Sequence, residues 1–339
     1  MYMSRAEKVL HLCNIKGKGL EIGPSFAPIA PKSEGFDIEI IDHLDKEGLK
    51  KKYSGHNVDL SKIEEVDYIW NGEKYADLTG KDNYYDYIIA SHVIEHTCDI
   101  IGFLNDCNDL LKDGGILSLV IPDKRFCFDC MRPLTGVSKA IDCHLNKHTV
   151  HSPGTVADHF LNASLNNGSH SWGDAPIGAL SLAHTYSDAK KIIDLSQTQS
   201  FYIDAHSWVF TKNSFILLIH DLNYLGFIKF DILKTFDDDS YEFFVVLKKC
   251  NNIPIIENNL RLELLKKIFF EYTTEIPNSM RKLNMSEEEI VHLLKQNESL
   301  YAENVQLKLE KDNFFNSTSW KITQPLRVIK KYLYDKIIN

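Results

Sequence analysis

Three side chains able to move a proton or hold a cation stand together at His92-x-x-Glu95-His96, and a fourth, His206, follows a long polar stretch. At i, i+3 and i+4, the first three would share one face of a helix begun at His92. Three readings suit them. His96 can act as general base toward a substrate hydroxyl with Glu95 beside it, and His206, in Asp204-Ala205-His206-Ser207-Trp208, is the rival base. His92, Glu95 and His96 can instead hold a divalent cation that orients the hydroxyl and lowers its pKa. In the third reading Glu95 and His96 only cap and pack a helix N-terminus. Cys127-x-x-Cys130, with Cys143 and His144 or His148, offers zinc ligands, although the second pair lacks a standard spacing.

Elements able to position these groups are legible around them. Lys18–Ile22, Asp37–Ile41, Val66–Trp70, Tyr87–Ala90 and Ile116–Ile121 are apolar runs bounded by turn residues, as expected of buried strands. Helical patterns intervene at Lys46–Tyr53 and Ile101–Leu111, the latter stopped by Gly114-Gly115. Ser4-x-x-Glu7 predicts a capping box on a first helix running through Leu12. This β-α-β alternation implies a parallel sheet covered on both faces, with ligands beyond the carboxyl ends of its strands. Periodicity weakens over residues 124–206, as in a substrate-side insertion or lid. A helix over Asn213–Leu225 and a hairpin of Phe230–Lys234 with Tyr241–Leu247 follow.

The 339 residues carry 44% hydrophobic and 25% charged side chains, within the globular range. A net charge of −9 argues against nucleic acid as a partner. No signal-peptide core or membrane-length apolar run is present, and the odd number of cysteines, seven, fits reduced thiols, so a cytoplasmic location is expected.

Glu21-x-Gly23 after the first strand, Asp42 after the second, Tyr85-Asp86-Tyr87-Ile88-Ile89, and Leu110-Leu111-Lys112-Asp113-Gly114-Gly115 before the fifth strand with Pro122 after it occur in a telling order. Together they resemble the class I S-adenosylmethionine-dependent methyltransferases over about residues 17–247. The resemblance implies an α/β, Rossmann-like seven-stranded fold, mostly parallel with a reversed last strand, over residues 1–250. It also implies S-adenosylmethionine as cofactor. Glu21, Gly23, Pro24 and Ser25 would then lie near its methionine end and Asp42 at the ribose. Asn71 or Asp77 would lie beside the adenine, and Ser91 and His92 under the sulfonium. The usual Gly-x-Gly is missing, since Pro24 and Ser25 stand where glycines are common. Glu95-His96 resembles a pair found in quinone-biosynthesis O-methyltransferases, where it is associated with a metal. Lys124, Arg125 and Arg132 follow the fifth strand, where cations could grip an anionic or sugar acceptor. His144, His148, His151 and His159 read as acceptor contacts or surface histidines.

Residues 251–313 form a helical extension by pattern, with Leu293, Leu300 and Leu307 at heptad spacing and Asn297 and Asn304 between them. A homodimer through residues 290–311 is one expectation, and packing on the chain's own domain is the other. Residues 314–339 are basic and amphipathic, suited to peripheral contact with the inner face of a membrane or with a protein. Ser319-Trp320-Lys321-Ile322-Thr323-Gln324-Pro325-Leu326-Arg327 resembles a tail of bacterial glycosyltransferases and methyltransferases of surface-polysaccharide assembly. That likeness implies a sugar hydroxyl of O-antigen, capsule or a related glycan as acceptor, with glycosyltransferases as partners. A quinone- or phenol-like metabolite is the alternative acceptor, and a non-catalytic scaffold in polysaccharide assembly the alternative role.

Overall fold

The apolar runs pair as one seven-stranded sheet, as the computed structural model shows for residues 3–170, 180–198, 201–237, 241–251 and 256–273. The Leu293–Leu307 repeat and the basic tail lie outside the described residues. The strands are β1 (Gly19–Ile22), β2 (Ile38–Asp42), β3 (Tyr68–Ile69), β4 (Tyr85–Ser91) and β5 (Leu111–Pro122). A small three-stranded sheet follows, of β6 (Ser164–Asn166), β7 (Ser169–His170) and β8 (Leu180–Leu182), and then β9 (Phe230–Asp237) and β10 (Glu242–Lys249). The order of the large sheet is β3-β2-β1-β4-β5-β10-β9. β1 to β5 run parallel, and β10 is antiparallel to both β5 and β9. Order reverses at β1 and β4, so the crevice beyond Ile22 and Ser91 is where such a sheet takes a ligand.

The helices are α1 (Arg5–Val9), α2 (Lys46–Tyr53), α3 (Tyr75–Thr79), α4 (Ile100–Leu110), α5 (Val137–Leu145), α6 (Pro153–Asn162), α7 (Tyr186–Thr198), α8 (Lys212–Tyr224) and α9 (Asn258–Thr273). Ser4 and Glu7 form the expected capping box, but α1 ends at Val9, and Leu12 adopts a left-handed φ of 66°. One face of the sheet packs Leu20, Ile22, Ile88, Leu117 and Val245 against Ile101, Leu104 and Phe215. The other packs Tyr87, Ile89, Val120 and Phe244 against Val9 of α1. Each such side chain contributes about 1.5–3 kcal/mol on burial, which makes the strand ends a rigid platform. Gly19 is required by close approach, since a Cβ there would collide with the Tyr87 ring.

Residues 124–206 are more regular than their weak periodicity suggests, since they carry α5, α6, α7 and the small sheet. β3 is shorter than the Val66–Trp70 run. Ile69 and Trp70 are 42% and 37% exposed, as expected at a sheet edge. No described helix is long and apolar enough to cross a membrane.

Candidate active site

The turn after β1 bends at Gly23, whose φ is +64°, and a side chain there would press on Val93. Ser25, in the place of a customary glycine, is itself left-handed at φ 49°. Its N–H donates to Asp42 Oδ2 (3.0 Å), a bond that offsets the roughly 1–2 kcal/mol cost of this conformation for an L residue. Asp42, buried at the end of β2, also accepts from the His43 N–H (2.8 Å), and its Oδ1 pairs with the His43 ring at 2.6 Å. Turn and acid thus form one unit at the switch point.

Glu21 is engaged within the chain. Its side chain is buried, and its two oxygens accept the N–H groups of Ile29 (2.8 Å) and Ala30 (3.2 Å), which shapes the loop after the turn. Burial pushes its carboxyl up to about 7, even against those two N–H donors. Asn71 is exposed beyond β3, with its backbone N–H on Glu73, and Asp77 is exposed on α3. Asn71 follows the edge strand β3, on the far side of Asp42 from β4, whereas α3 packs against α4 through Tyr75 and Phe103.

No helix starts at His92. The residue adopts a left-handed φ of 53°, and only a 3₁₀ turn, Ile94–His96, follows. The three side chains therefore do not share a helical face. His92 pairs through Nε2 with Glu242 Oε2 at 2.8 Å, and its Nδ1 lies 3.5 Å from Glu95, an ion-pair distance rather than a hydrogen bond. Arg5 holds Glu242 Oε1 (2.7 Å) and donates to Ser91 Oγ (2.8 Å), so α1 is tied to the ends of β4 and β10. Burial opposes charge on His92, but the Glu242 and Glu95 carboxylates outweigh it and raise the imidazole to about 9. With a folded pKa above the ordinary 6.5, this pairing stabilises fully below pH 6.5 and is lost as pH rises through about 9. His92→Gln should therefore flatten the fall in denaturation midpoint between those pH values, and an unchanged slope would refute the assignment.

Glu95 and His96 meet His206 instead. One ligand atom from each lies within 4.8 Å of the others, the only such group of three or more among the described residues. His206 is brought there because the Ser207 and Trp208 N–H groups donate to the Glu95 carbonyl (2.7 and 3.2 Å), while the Trp208 indole donates to the Thr97 carbonyl. Both imidazoles are fixed by a carboxylate on Nδ1: His206 by buried Asp129 at 2.5 Å, and His96 by Asp204 at 2.8 Å. His96 therefore turns Nε2 toward Glu95, at 3.9 Å. The ring edge of one histidine meets the face of the other at 4.6 Å. Arg132, fully buried, donates to Asp129 (2.7 Å), Asp158 (2.7 Å) and the His206 carbonyl (2.8 Å).

Glu95 is 1% exposed, and neither carboxylate oxygen has a hydrogen-bond partner. Burial favours its protonated form, but His92, His96 and His206 hold it below its ordinary value, as a carboxylate. A buried carboxylate ion-paired with His92 and lying beside two oriented imidazoles can hold a cation or accept a hydrogen bond from a hydroxyl. Two histidines and a carboxylate are a fitting donor set for a divalent metal, with Asp129 and Asp204 orienting the rings. Asp129, Asp204 and Glu242 are the carboxylates that pair with the three histidines and that the sequence did not single out. Asp204 had a signal, two residues before His206, and Glu242 had none.

The zinc expectation fails on geometry. Cys127 and Cys143 are buried, and Cys143 packs in the apolar core, while the Cys130 thiol lies 3.2 Å from Ser164 Oγ. Lys124 and Arg132 are not rim cations either. Lys124 turns inward to the Cys130 carbonyl, and Arg125 pairs with Asp123 at 2.7 Å. His144 pairs with Asp99 at the start of α4. A cavity of about 430 Å³ lined by Asn14, Asp86, Lys112 and Lys248 lies at the opposite, amino edge of the strands, away from this chemistry.

A family model described as "Methyltransferase domain" matches residues 12–223. No curated protein matches the chain. Among solved structures it is similar to the CurJ carbon methyltransferase, at 13% identity and TM-score 0.35. That alignment covers 69% of this chain and 49% of the other, so the chain spans about half of that relative's length. It is similar also to a SAM-dependent methyltransferase from Aquifex aeolicus (12% identity, 73% and 90% of the two chains, TM-score 0.37). A third likeness is to one from Methanosarcina mazei (14%, 70% and 93%, TM-score 0.36). With the motif order, the strand order and a family match over 212 of its 339 residues, the chain belongs to the methyltransferase domain family, with the class I S-adenosylmethionine-dependent fold.

Proposed function

We propose that the chain transfers the methyl group of S-adenosylmethionine to a hydroxyl of an acceptor, a sugar of a bacterial surface glycan. The observation that carries O-methylation is the Glu95, His96 and His206 group beyond the carboxyl end of β4, with both imidazoles oriented from behind by carboxylates. The acceptor oxygen attacks the sulfonium-bound carbon in line. The carbon–oxygen bond forms as the carbon–sulfur bond breaks, the hydroxyl proton passes to His206 Nε2, and S-adenosylhomocysteine leaves. Positioning contributes most of the rate, and the imidazole adds general-base assistance. His96 is the second candidate base. A divalent cation at Glu95, His96 and His206, rather than at His92, Glu95 and His96, would lower the hydroxyl pKa when bound. The glycan acceptor is favoured by the likeness of residues 319–327 to tails of polysaccharide-assembly enzymes. A homodimer through residues 290–311, glycosyltransferase partners and a peripheral place at a membrane belong to the same reading.

Calorimetric titration with S-adenosylmethionine tests the cofactor half. Wild type should bind at micromolar Kd, and Asp42→Ala should weaken binding by about tenfold or more, the loss of a hydrogen bond to a charged group. A folded wild type that does not bind would refute catalysis and favour the scaffold. S-adenosylhomocysteine release with nucleotide sugars, glycans and phenols then identifies the acceptor.

A further inference from the structure

Asp42, the carboxylate at the end of β2, is closed over by its own chain. Its side chain is 1% exposed, so a ligand reaches it only when a neighbour moves. A carboxylate offers about four lone-pair sites. On Asp42 each site has a partner. Oδ2 accepts from the Ser25 N–H (3.0 Å) and the Ser25 hydroxyl (3.5 Å). Oδ1 accepts from the His43 N–H (2.8 Å) and from the His43 ring at Nδ1 (2.6 Å).

These partners differ in how freely they can leave. Two are backbone N–H groups, fixed by the turn after β1 and by the strand end itself. The Ser25 hydroxyl is half-buried and backed by the Tyr53 hydroxyl, which donates to it at 3.3 Å. The His43 ring, in contrast, is on an exposed side chain, 42% accessible. Its outer nitrogen, Nε2, lies 2.9 Å from the ammonium of Lys52 on α2, which is exposed as well. An ammonium only donates and a carboxylate only accepts, so the ring between them is neutral, with its proton on Nδ1. Water can replace the outer bond, and rotation of the side chain then uncovers Oδ1.

We propose that the His43 ring is a latch on the cofactor site, competing with a ribose hydroxyl of S-adenosylmethionine for Asp42 Oδ1. It turns to solvent as the nucleoside binds and returns as it leaves. This rests on the methyltransferase reading, in which Asp42 holds the ribose, and adds a residue that sets the affinity of cofactor and product alike. The exchange keeps a buried carboxylate paired in both states, where a bare one would be costly. A ligand that must displace an internal bond binds more weakly in proportion to the population that keeps the bond, and loss of the latch removes that penalty.

Calorimetric titration of the full chain with S-adenosylhomocysteine tests this as a double-mutant cycle. His43→Ala should bind about tenfold tighter than wild type, the worth of one hydrogen bond to a charged group. The gain should vanish in the Asp42→Ala background, where no acceptor remains to compete for. His43→Gln, whose amide can still donate to Oδ1, should stay near wild type. Unchanged or weaker binding by a folded His43→Ala, or a gain that survives in Asp42→Ala, would overturn the latch. A folded wild type that does not bind S-adenosylhomocysteine would instead overturn the methyltransferase reading beneath it.

Discussion

Replacing His206 with glutamine is expected to lower kcat by about 10²–10⁴-fold, the usual worth of a positioned general base, while S-adenosylmethionine still binds. Geometry singles out His206 over His96. His206 is 4% exposed, and its Nδ1 is held by a carboxylate that is itself buried and gripped by Arg132. The carboxylate behind His96, Asp204, is 68% exposed and held by less. Asp129→Asn should show a comparable loss, since the amide can hold the ring in the tautomer that carries its proton on Nε2, which is then no base. Calorimetry with S-adenosylmethionine and release of S-adenosylhomocysteine separate the two effects. If His206→Gln keeps full kcat while His96→Gln loses it, the base is His96. If both lose kcat together with Mn²⁺ affinity, the cation is the shared cause.

The fold was legible because its strands are buried on both faces and read as apolar runs closed by Gly, Pro or Asp. α2 coincides with the expected Lys46–Tyr53, and the reversed last strand is β10. The insertion was less legible, because its helices mix His, Ser, Asp and Lys among few apolar positions. Ser152-Pro153, a cap followed by a first-turn proline, was the available signal for α6.

Site residues divide along the same line. Gly23 and Asp42 sit where the motif order places them because strand ends fix them. The His92, Glu95 and His96 face was misread because it assumed a helix. A left-handed turn at a histidine carries no residue-type signal, and only the structure shows that His92 swings to Glu242. Asp129 was hidden inside Cys-Phe-Asp-Cys, a pattern that drew the eye to its sulfurs. In three dimensions its Oδ2 lies 3.8 Å from the Cys127 thiol but only 2.5 Å from His206. Pairings of side chains more than a hundred residues apart, such as Glu242 with His92, leave no trace in local spacing.

Arg132→Met should destabilise the chain by about 3–5 kcal/mol, the largest stability effect expected of any single substitution here. The guanidinium is fully buried and joins Asp129, Asp158 and the His206 carbonyl. Its removal leaves Asp129 buried with only His206 to balance it. The double variant Asp129→Leu/Arg132→Met should recover part of the loss, because the buried charge at position 129 is then gone, while Asp158 is part-exposed and keeps its bond from Asn162. The linkage to pH has a definite sign. Burial favours protonation of Asp129, but His206 and Arg132 more than offset it and hold the carboxyl well below its ordinary 3.8. Its contribution is therefore complete above about pH 4 and disappears as pH falls below that toward the folded value. Urea denaturation at neutral and acidic pH reads both effects. Wild type should lose stability on acidification more steeply than the double variant, which no longer carries the carboxylate. A single-variant loss below about 1 kcal/mol, within the range of surface pairs, would mean that Arg132 is not the keystone of this site and that His206 is held by its backbone alone.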